Sequence, residues 1–352
     1  MTSLADIVDV VIGVDTHKHT HTAAVVTAAT CGQLDELTVA TDPDGYAGLI
    51  EMADRHSGLR AWAIESTGSY GAGLARHLRA LGEWVIELDR PNRPARRHGA
   101  KSDPLDAVRA AREALARNNL GQPRATGDRT ALSVLLTARR SAVEAATTAQ
   151  RQLHALVVAA PEPLRAKFRG QTTTLMIATA ARLRCHASWD LETRTTAGVL
   201  RSLARRSQAL MSEAADYEHQ ILSIVRSWRP DLLELTGVGP IVAAVVLCAW
   251  SHPGRIRNDG AFAMMAGVAP IPASSGQMTR HRLNRYGDRQ LNRALHTIVC
   301  TRLRHDPNTR SYQQPRRADG KTDREIKRCL KRYVARQLFR QLEAGPNPLD
   351  RP

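Results

Sequence analysis

The first 120 residues alternate between short apolar runs and segments of helical spacing, with turn residues between them. The apolar runs predict β-strands over residues 8–14, 19–26, 34–40, 61–65 and 84–88. Apolar positions three or four residues apart predict helices over residues 44–56, 70–81 and about 104–116. Because short turns join the first three strands, we expect these strands to form an antiparallel meander.

The order of the predicted elements is therefore β-β-β-α-β-α-β-α. This is the order of the α/β ribonuclease H-like fold, a mixed sheet whose metal site lies at strand ends. Beyond residue 130 the pattern becomes almost wholly helical, with long helical spacing over residues 131–156 and 191–228. Two long helices predict a coiled-coil-like connector that offers a dimerisation surface. Residues 161–185 between them give no clear prediction.

An apolar segment interrupted by Gly-Val-Gly follows at residues 232–249, LLELTGVGPIVAAVVLCA. It predicts a helix-hairpin-helix in which Gly237 and Gly239 let the backbone approach a phosphate. A plain pair of helices with a glycine turn explains the pattern equally well. We therefore expect three domains: residues 1–125, α/β; residues 126–228, a helical connector; and residues 229–345, a mainly α-helical carboxy-terminal domain containing the hairpin.

Charge points to a polyanionic partner. The chain of 352 residues is 43% hydrophobic and carries a formal net charge of +16. Between Arg280 and Arg340 there are 18 Lys/Arg and 5 Asp/Glu, a net of +13. A solvated helical surface would mix the signs, so this concentration favours nucleic acid.

Composition argues against several other classes of protein. No apolar run reaches about 18 residues, and no basic-then-apolar leader is present, so we expect a cytoplasmic protein without a membrane span. Five scattered cysteines without ligand spacing argue against disulfides and structural zinc. Aromatic residues are only 4% of the chain, which argues against an extended platform for stacking bases.

Four carboxylates occupy positions suited to metal binding. Asp15 ends the first predicted strand and Glu65 ends the fourth, whereas Asp103 and Asp106 share one face of a helix start. Carboxylates from separate elements can hold two Mg²⁺ ions about 4 Å apart for phosphoryl transfer. Helix capping is an alternative explanation for the pair in KSDPLDA. The basic segment just before it favours the metal site, through Arg93, Arg96, Arg97 and Lys101.

A serine in a basic loop is a second candidate for chemistry. PIPASSG at residues 270–276 precedes a basic stretch. Ser275 could present its hydroxyl to a phosphodiester there. An ordinary Ser-Gly turn explains the spacing more simply. The cations that could contact phosphate are Arg280, Arg282, Arg285 and Arg289.

Several segments resemble the insertion-sequence transposases of the IS110 type, which are related to the Piv/MooV DNA invertases. The amino-terminal matches are VIGVDTHK, AIESTGSYG and KSDPLDA. The later ones are LTGVGP, AGVAPIPASSG, HRLNRYGDRQLNRALH and GKTDREIKRCLKRYVARQLFR. The resemblance runs from about residue 10 to residue 340.

This resemblance implies an amino-terminal RuvC-like domain in which a DEDD tetrad binds the metal, here Asp15, Glu65, Asp103 and Asp106. It also implies a carboxy-terminal transposase domain with a serine nucleophile that becomes covalently linked to DNA. That serine maps to Ser275, with Ser274 as the alternative. A structured guide RNA, the bridge RNA, would pair with donor and target DNA.

The leading hypothesis is thus an Mg²⁺-dependent, serine-dependent DNA transposase that acts as a homo-oligomer on element ends and target. A RuvC-like junction resolvase or nuclease would need the four acids but neither serine. A non-catalytic nucleic-acid-binding protein would need none of these groups.

Overall fold

The computed structural model describes residues 3–88, 103–273 and 281–345. The chain divides into two compact units, Met1–Ala125 and Thr126–Pro352. The first unit contains an α/β sheet and the second is mainly helical.

The first unit is built on a five-stranded mixed sheet. Its strands are β1 (Val10–Thr16), β2 (Thr20–Thr27), β3 (Gln33–Ala40), β4 (Arg60–Glu65) and β5 (Val85–Leu88), in the spatial order β3-β2-β1-β4-β5. β1, β2 and β3 form the antiparallel meander expected from the short turns. β4 pairs parallel to β1, and β5 pairs parallel to β4. All five strands begin and end within two residues of their predicted limits.

Helices cover both faces of this sheet, so its central strands are apolar on both sides. The helices are α1 (Pro43–Asp54), α2 (Ala72–Ala80) and α3 (Asp103–Ala116). Leu49 of α1 and Leu74 of α2 pack with Ile12 on one face. Ala107 and Ala111 of α3 are buried with the opposite face. α3 therefore has one face of the sheet to itself among the three helices.

The second unit is helical apart from a short ribbon. Its helices are α4 (Asp128–Ala159), α5 (Glu162–Arg165), α6 (Thr173–Ala181), α7 (Leu191–Trp228), α8 (Pro240–Trp250), α9 (Asp259–Met265), α10 (Arg289–His305), α11 (Pro307–Ala318) and α12 (Asp323–Ala344). The ribbon pairs β6 (Ile271–Pro272) with β7 (His281–Arg282). The segment at residues 161–185, which the sequence left unassigned, contains α5, α6 and a single-turn 3-10 helix.

The two long predicted helices form an antiparallel pair, α4 against α7. Arg139 of α4 donates to Glu218 of α7 at 2.7 Å. Three turns further along α4, Gln150 donates to Ser207 at 3.0 Å. Partners whose numbers rise on one helix and fall on the other define antiparallel packing.

The element before the Gly-Val-Gly turn differs from the prediction. Residues Pro230–Glu234 form a 3-10 helix of five residues, whereas α8 after the turn is a full helix. Pro230 cannot donate a backbone hydrogen bond, and α7 has already ended at Trp228, which leaves too few residues for an α-helix. The helix-hairpin-helix therefore stays a prediction.

Among the described residues, no helix has the length and apolar character needed to cross a membrane.

Candidate metal centre

Two of the four predicted acids end adjacent parallel strands. Val14 of β1 pairs with Ile64 of β4, and Asp15 and Glu65 each come one residue later. In-register residues of parallel strands project to the same side of a sheet. Asp15 and Glu65 therefore share a face at the carboxyl ends of β1 and β4.

Alternation along the strands shows which face this is. Val11 is buried with the alanines of α3, and side chains two and four residues later lie on the same side. Gly13 is the next of these positions, and Asp15 is the one after it. On β4, Ala61 and Ala63 pack on this side too, and Glu65 follows. The two acids hence lie on the α3 side of the sheet.

Gly13 brings α3 unusually close to β1. A Cβ atom at this position would lie 2.0 Å from the backbone oxygen of Ala107 and 2.5 Å from the nitrogen of Ala111. Only glycine is compatible with that approach. Since Asp103 and Asp106 lie in the first turn of α3, the close packing carries them toward the end of β1.

A histidine joins Asp15 to Asp103. The Nε2 atom of His17 lies 3.1 Å from Oδ2 of Asp15 and 3.5 Å from Oδ1 of Asp103. In the described part of the chain, these three residues form the group whose ligand atoms all lie within 4.8 Å of one another. The structure thus brings together one strand-end acid and one acid of α3.

Sequence reasoning placed His17 in a turn and missed it as a site residue. The signal was available, because residue 17 is two positions after Asp15 and so lies on the same side of the extended chain.

The electrostatics of Asp15 fit a cation site. Burial raises the pKa of Asp15, and the nearby Asp103 and Asp106 carboxylates raise it further, while His17 opposes both. The carboxylate is only 15% exposed. Such crowding disfavours the charged form, and a bound cation would relieve it.

Asp106 and Glu65 lie outside the close group. Asp106 accepts a hydrogen bond from Nη1 of Arg109 at 2.8 Å, one turn along α3. The backbone oxygen of Glu65 accepts a hydrogen bond from the Thr16 hydroxyl at 3.1 Å. Ser66 follows with a left-handed φ of 62°, so the chain turns sharply just after Glu65.

The contacts of the Asp103 and Asp106 carboxylates show whether these acids cap the start of α3. Within the described residues, neither Asp103 nor Asp106 accepts a backbone N–H of α3: Asp103 contacts His17, and Asp106 contacts Arg109. Elsewhere in the chain, helices with a capping acid show the bond plainly, as where Asp42 accepts from the amide of Gly45 at 2.8 Å. The contacts that these two carboxylates make are therefore with side chains and not with the start of α3.

Several predicted site residues lie outside the described residues. These are Arg93, Arg96, Arg97, Lys101, Ser274, Ser275 and Arg280. The ribbon of β6 and β7 pairs Pro272 with His281, and so holds together the two segments that flank Ser275 in the sequence.

The remaining predicted contacts to nucleic acid lie in the second unit. Arg282 in β7, and Arg285 and Arg289 beyond it, are exposed. Gly237 has a left-handed φ of 85°, and a Cβ there would lie 3.1 Å from the backbone oxygen of Ile298. Gly239 precedes α8 and has open space around it. Gly237 is thus required by the turn itself, whereas Gly239 leaves the start of α8 accessible.

A mixed α/β sheet with acids gathered at its strand ends defines a class of enzymes in which carboxylates bind divalent metal ions. Comparison with known proteins narrows the class. Residues 12–160 match the family model of the DEDD transposases of the IS110 type. Residues 230–314 match the model of the transposase IS116/IS110/IS902 family.

Two curated proteins are similar to the chain. One is the insertion element IS900 uncharacterized 42 kDa protein of Mycobacterium paratuberculosis, 27% identical, with 94% of each chain covered. The other is the insertion element IS110 uncharacterized 43.6 kDa protein of Streptomyces coelicolor, 31% identical over 42% of this chain and 37% of the relative. The chain belongs to the IS110 family of insertion-sequence transposases, which are enzymes that act on DNA. Its DEDD domain implies a divalent metal ion.

Proposed function

We propose that the protein cuts and rejoins DNA in an Mg²⁺-dependent reaction that passes through a covalent serine–DNA intermediate. The observation that carries the proposal is the gathering of Asp15 and Asp103 around His17 at the end of β1, in a chain whose family acts on DNA. The β3-β2-β1-β4-β5 order supports a RuvC-like, ribonuclease H-like domain.

The donor set fits magnesium. Carboxylate oxygens are the ligands that Mg²⁺ prefers, and Asp15, Glu65, Asp103 and Asp106 supply them from three elements. Two Mg²⁺ ions would stabilise negative charge on the attacking and leaving oxygens. Imidazole nitrogen suits other metals better, so we assign His17 to orienting the Asp15 and Asp103 carboxylates.

Ser275 is the proposed nucleophile, with Ser274 as the alternative. Its Oγ would form a bond to phosphorus and lose its proton, while the bond from phosphorus to one deoxyribose oxygen breaks and that oxygen gains a proton. Rejoining reverses the step on a different DNA end. Arg280 and Arg282 would offset the charge that develops on the phosphate.

A strand-cleavage assay on labelled DNA spanning the element junction tests the metal requirement. We expect cleavage with Mg²⁺ or Mn²⁺ and none with EDTA, and we expect Asp103→Asn to behave like EDTA. Cleavage that persists when Ser274 and Ser275 are both alanine would favour a metal-dependent resolvase. Cleavage undiminished by EDTA would sink the metal mechanism.

We further propose that a structured guide RNA reads the DNA sequence and that the protein acts as a homo-oligomer. The guide RNA follows from the resemblance to transposases of the IS110 type. The strongly cationic region from Arg280 to Arg340 is consistent with it, since a protein that leaves sequence reading to RNA needs mainly backbone contacts. RNase treatment of the purified protein should abolish recombination, and adding back the co-purified RNA should restore it. Full recombination by RNA-free protein would contradict the guide.

The phosphate contacts proposed for this machinery are Arg93, Arg96, Arg97, Lys101, Gly237, Gly239, Arg280, Arg282, Arg285 and Arg289.

A further inference from the structure

A cationic cleft of about 450 Å³ lies in the second unit, lined by α10, by the segment that precedes it and by α12. Arg285 from the preceding segment, Arg289 and Arg293 from α10, and Lys331 from α12 line it. Within residues 103–273 and 281–345, none of the three arginines forms an ion pair with a carboxylate. Asp288 also lines the cleft, but its carboxylate caps α10 by accepting from the amides of Gln290 and Leu291. The cleft is therefore suited to an anion.

Among the residues that the structure describes, Lys331 forms no ion pair and is held by a neutral amide. Its ammonium donates to Oδ1 of Asn292 at 3.0 Å, and Nδ2 of Asn292 donates to the backbone oxygen of Ala266 at 2.7 Å. Burial and the neighbouring Arg328 lower the pKa of Lys331. A half-buried lysine whose partner is a neutral amide leaves its charge available to a phosphate.

Tyr286 projects from the same cleft with 84% of its surface exposed, more than any other large hydrophobic or aromatic side chain described. Its backbone is fixed. The amide of Tyr286 donates to Oδ1 of the buried Asn284 at 2.9 Å. The next residue, Gly287, has a φ of 108°, and a Cβ there would lie 2.6 Å from Gly267 N and Met265 O. The fold thus displays an aromatic ring to solvent from a rigid turn.

We propose that this cleft binds a phosphodiester carrying one unpaired base, with the base stacked on Tyr286 and the flanking phosphates held by Arg289, Arg293 and Lys331. The inference rests on the nucleic-acid-binding part of the proposed function and is independent of the serine chemistry. Bases inside a duplex are already stacked on each other, so only an extruded or single-stranded base can present a free face to the ring.

One stacked base is consistent with the composition. An extended platform needs a row of aromatic side chains, and 4% aromatic content does not supply one. A single ring beside several cations suffices to hold one displaced nucleotide. Since every base has an aromatic face, we expect little sequence preference at this position.

The test measures binding by the full-length protein in EDTA, so that no chemistry occurs. The probes are a duplex with one bulged 2-aminopurine and the same duplex without the bulge, each made as DNA and as RNA. We expect the wild type to bind the bulged probe about ten-fold more tightly and to quench its fluorescence. The DNA and RNA arms show which strand supplies the base.

Variants separate the ring from the charges. Tyr286→Phe should behave like the wild type, whereas Tyr286→Ala should lose the preference for the bulge and the quenching but keep duplex affinity. Tyr333→Ala is the matched control, since Tyr333 is 50% exposed in the same unit but does not line this cleft. The double variant Arg289→Gln, Arg293→Gln should bind both probes more weakly. The salt dependence of its binding should fall by about one counterion for each charge removed.

Equal affinity of the wild type for bulged and fully paired probes would overturn the inference, and so would an unchanged preference in Tyr286→Ala. A wild-type protein that prefers the bulged probe but forms no covalent DNA adduct in a separate reaction with Mg²⁺ would count against the serine mechanism and leave this inference standing.

Discussion

Asp15 is the acid whose surroundings say most about the chemistry. Its carboxylate is largely buried, touches His17 and faces the acids of α3. Burial and these acids raise the pKa of Asp15 above its ordinary value. The surroundings therefore disfavour the charged carboxylate when no cation is bound beside it.

Replacing the Asp15 carboxylate with a neutral amide should change the cleavage rate and the free energy of unfolding in different ways. We expect Asp15→Asn to lower the rate of strand cleavage by about a thousand-fold, the effect of losing several kcal/mol of metal-assisted stabilisation. Because the raised pKa means that the charged form costs stability, the free energy of unfolding at neutral pH should stay constant or rise. Urea titration and a cleavage time course measure the two effects. Glu51→Gln, at an exposed position of α1, is the control. Wild-type cleavage by Asp15→Asn would remove this acid from the site.

At the scale of elements, the packing of α3 on β1 sets the position of two acids. Gly13→Ala should therefore impair both packing and activity, since its Cβ would overlap the backbone of Ala107. We expect the free energy of unfolding to fall by about 1–3 kcal/mol and cleavage to fall with it, even though no acid is changed.

Gly198→Ala in α7 is the matched control, because a Cβ there meets nothing within 4 Å. Denaturant unfolding and the cleavage assay would be run on both variants. Unaltered cleavage by a stably folded Gly13→Ala protein would show that the approach of α3 does not position the site.

Arg229 joins the end of α7 to the end of α12. It is 1% exposed, forms a two-pronged ion pair with Asp231, and donates to the backbone oxygens of Gln341 and Leu342 at 2.8 and 3.0 Å. Removing it leaves a carboxylate and two carbonyl oxygens without these bonds.

We expect Arg229→Ala to lower the free energy of unfolding of the second unit by about 3–5 kcal/mol. Arg317→Ala breaks an exposed, solvent-screened pair with Asp323 and should lower the free energy of unfolding far less. Urea unfolding followed by circular dichroism compares the two. An equal decrease in the free energy of unfolding in the two variants would mean that the buried contacts of Arg229 stabilise the fold no more than an exposed ion pair does.

Elements with a clear period were predictable from the sequence. The strands of the first unit and the long helices α4 and α7 follow from apolar spacing alone, because their buried faces repeat every two or every three to four residues. The 3-10 helix before Gly237 was not predictable, since three leucines in six residues fit a helical pattern without enough length to form an α-helix.

The site was predictable only in part, and for a physical reason. Asp15 and Glu65 could be found because each follows a buried strand. The role of His17 and the approach of α3 at Gly13 depend on contacts between elements, which local periodicity does not encode. The gathering of Arg289, Arg293 and Lys331 beside Tyr286 likewise depends on the packing of α12 against α10.

At the scale of the whole molecule, the sequence divides its chemistry between two units. The described acids of the candidate metal centre belong to the first, residues 1–125, which carry a net charge of −2, whereas residues 126–352 carry +18. The proposed reaction needs both units. The acids of the first would hold the metal ions that stabilise charge on the reacting phosphate, and the second would supply the nucleophilic serine and the cations that bind the DNA backbone.

A denaturing gel that detects a covalent protein–DNA adduct tests this account most directly. Full-length protein with its co-purified RNA would be incubated with labelled element-junction DNA and Mg²⁺. We expect an adduct with the wild type and with Ser274→Ala, and none with Ser275→Ala, Glu65→Gln or added EDTA. Cleaved DNA without an adduct in the wild type, or an adduct that survives loss of both serines, would contradict the serine mechanism.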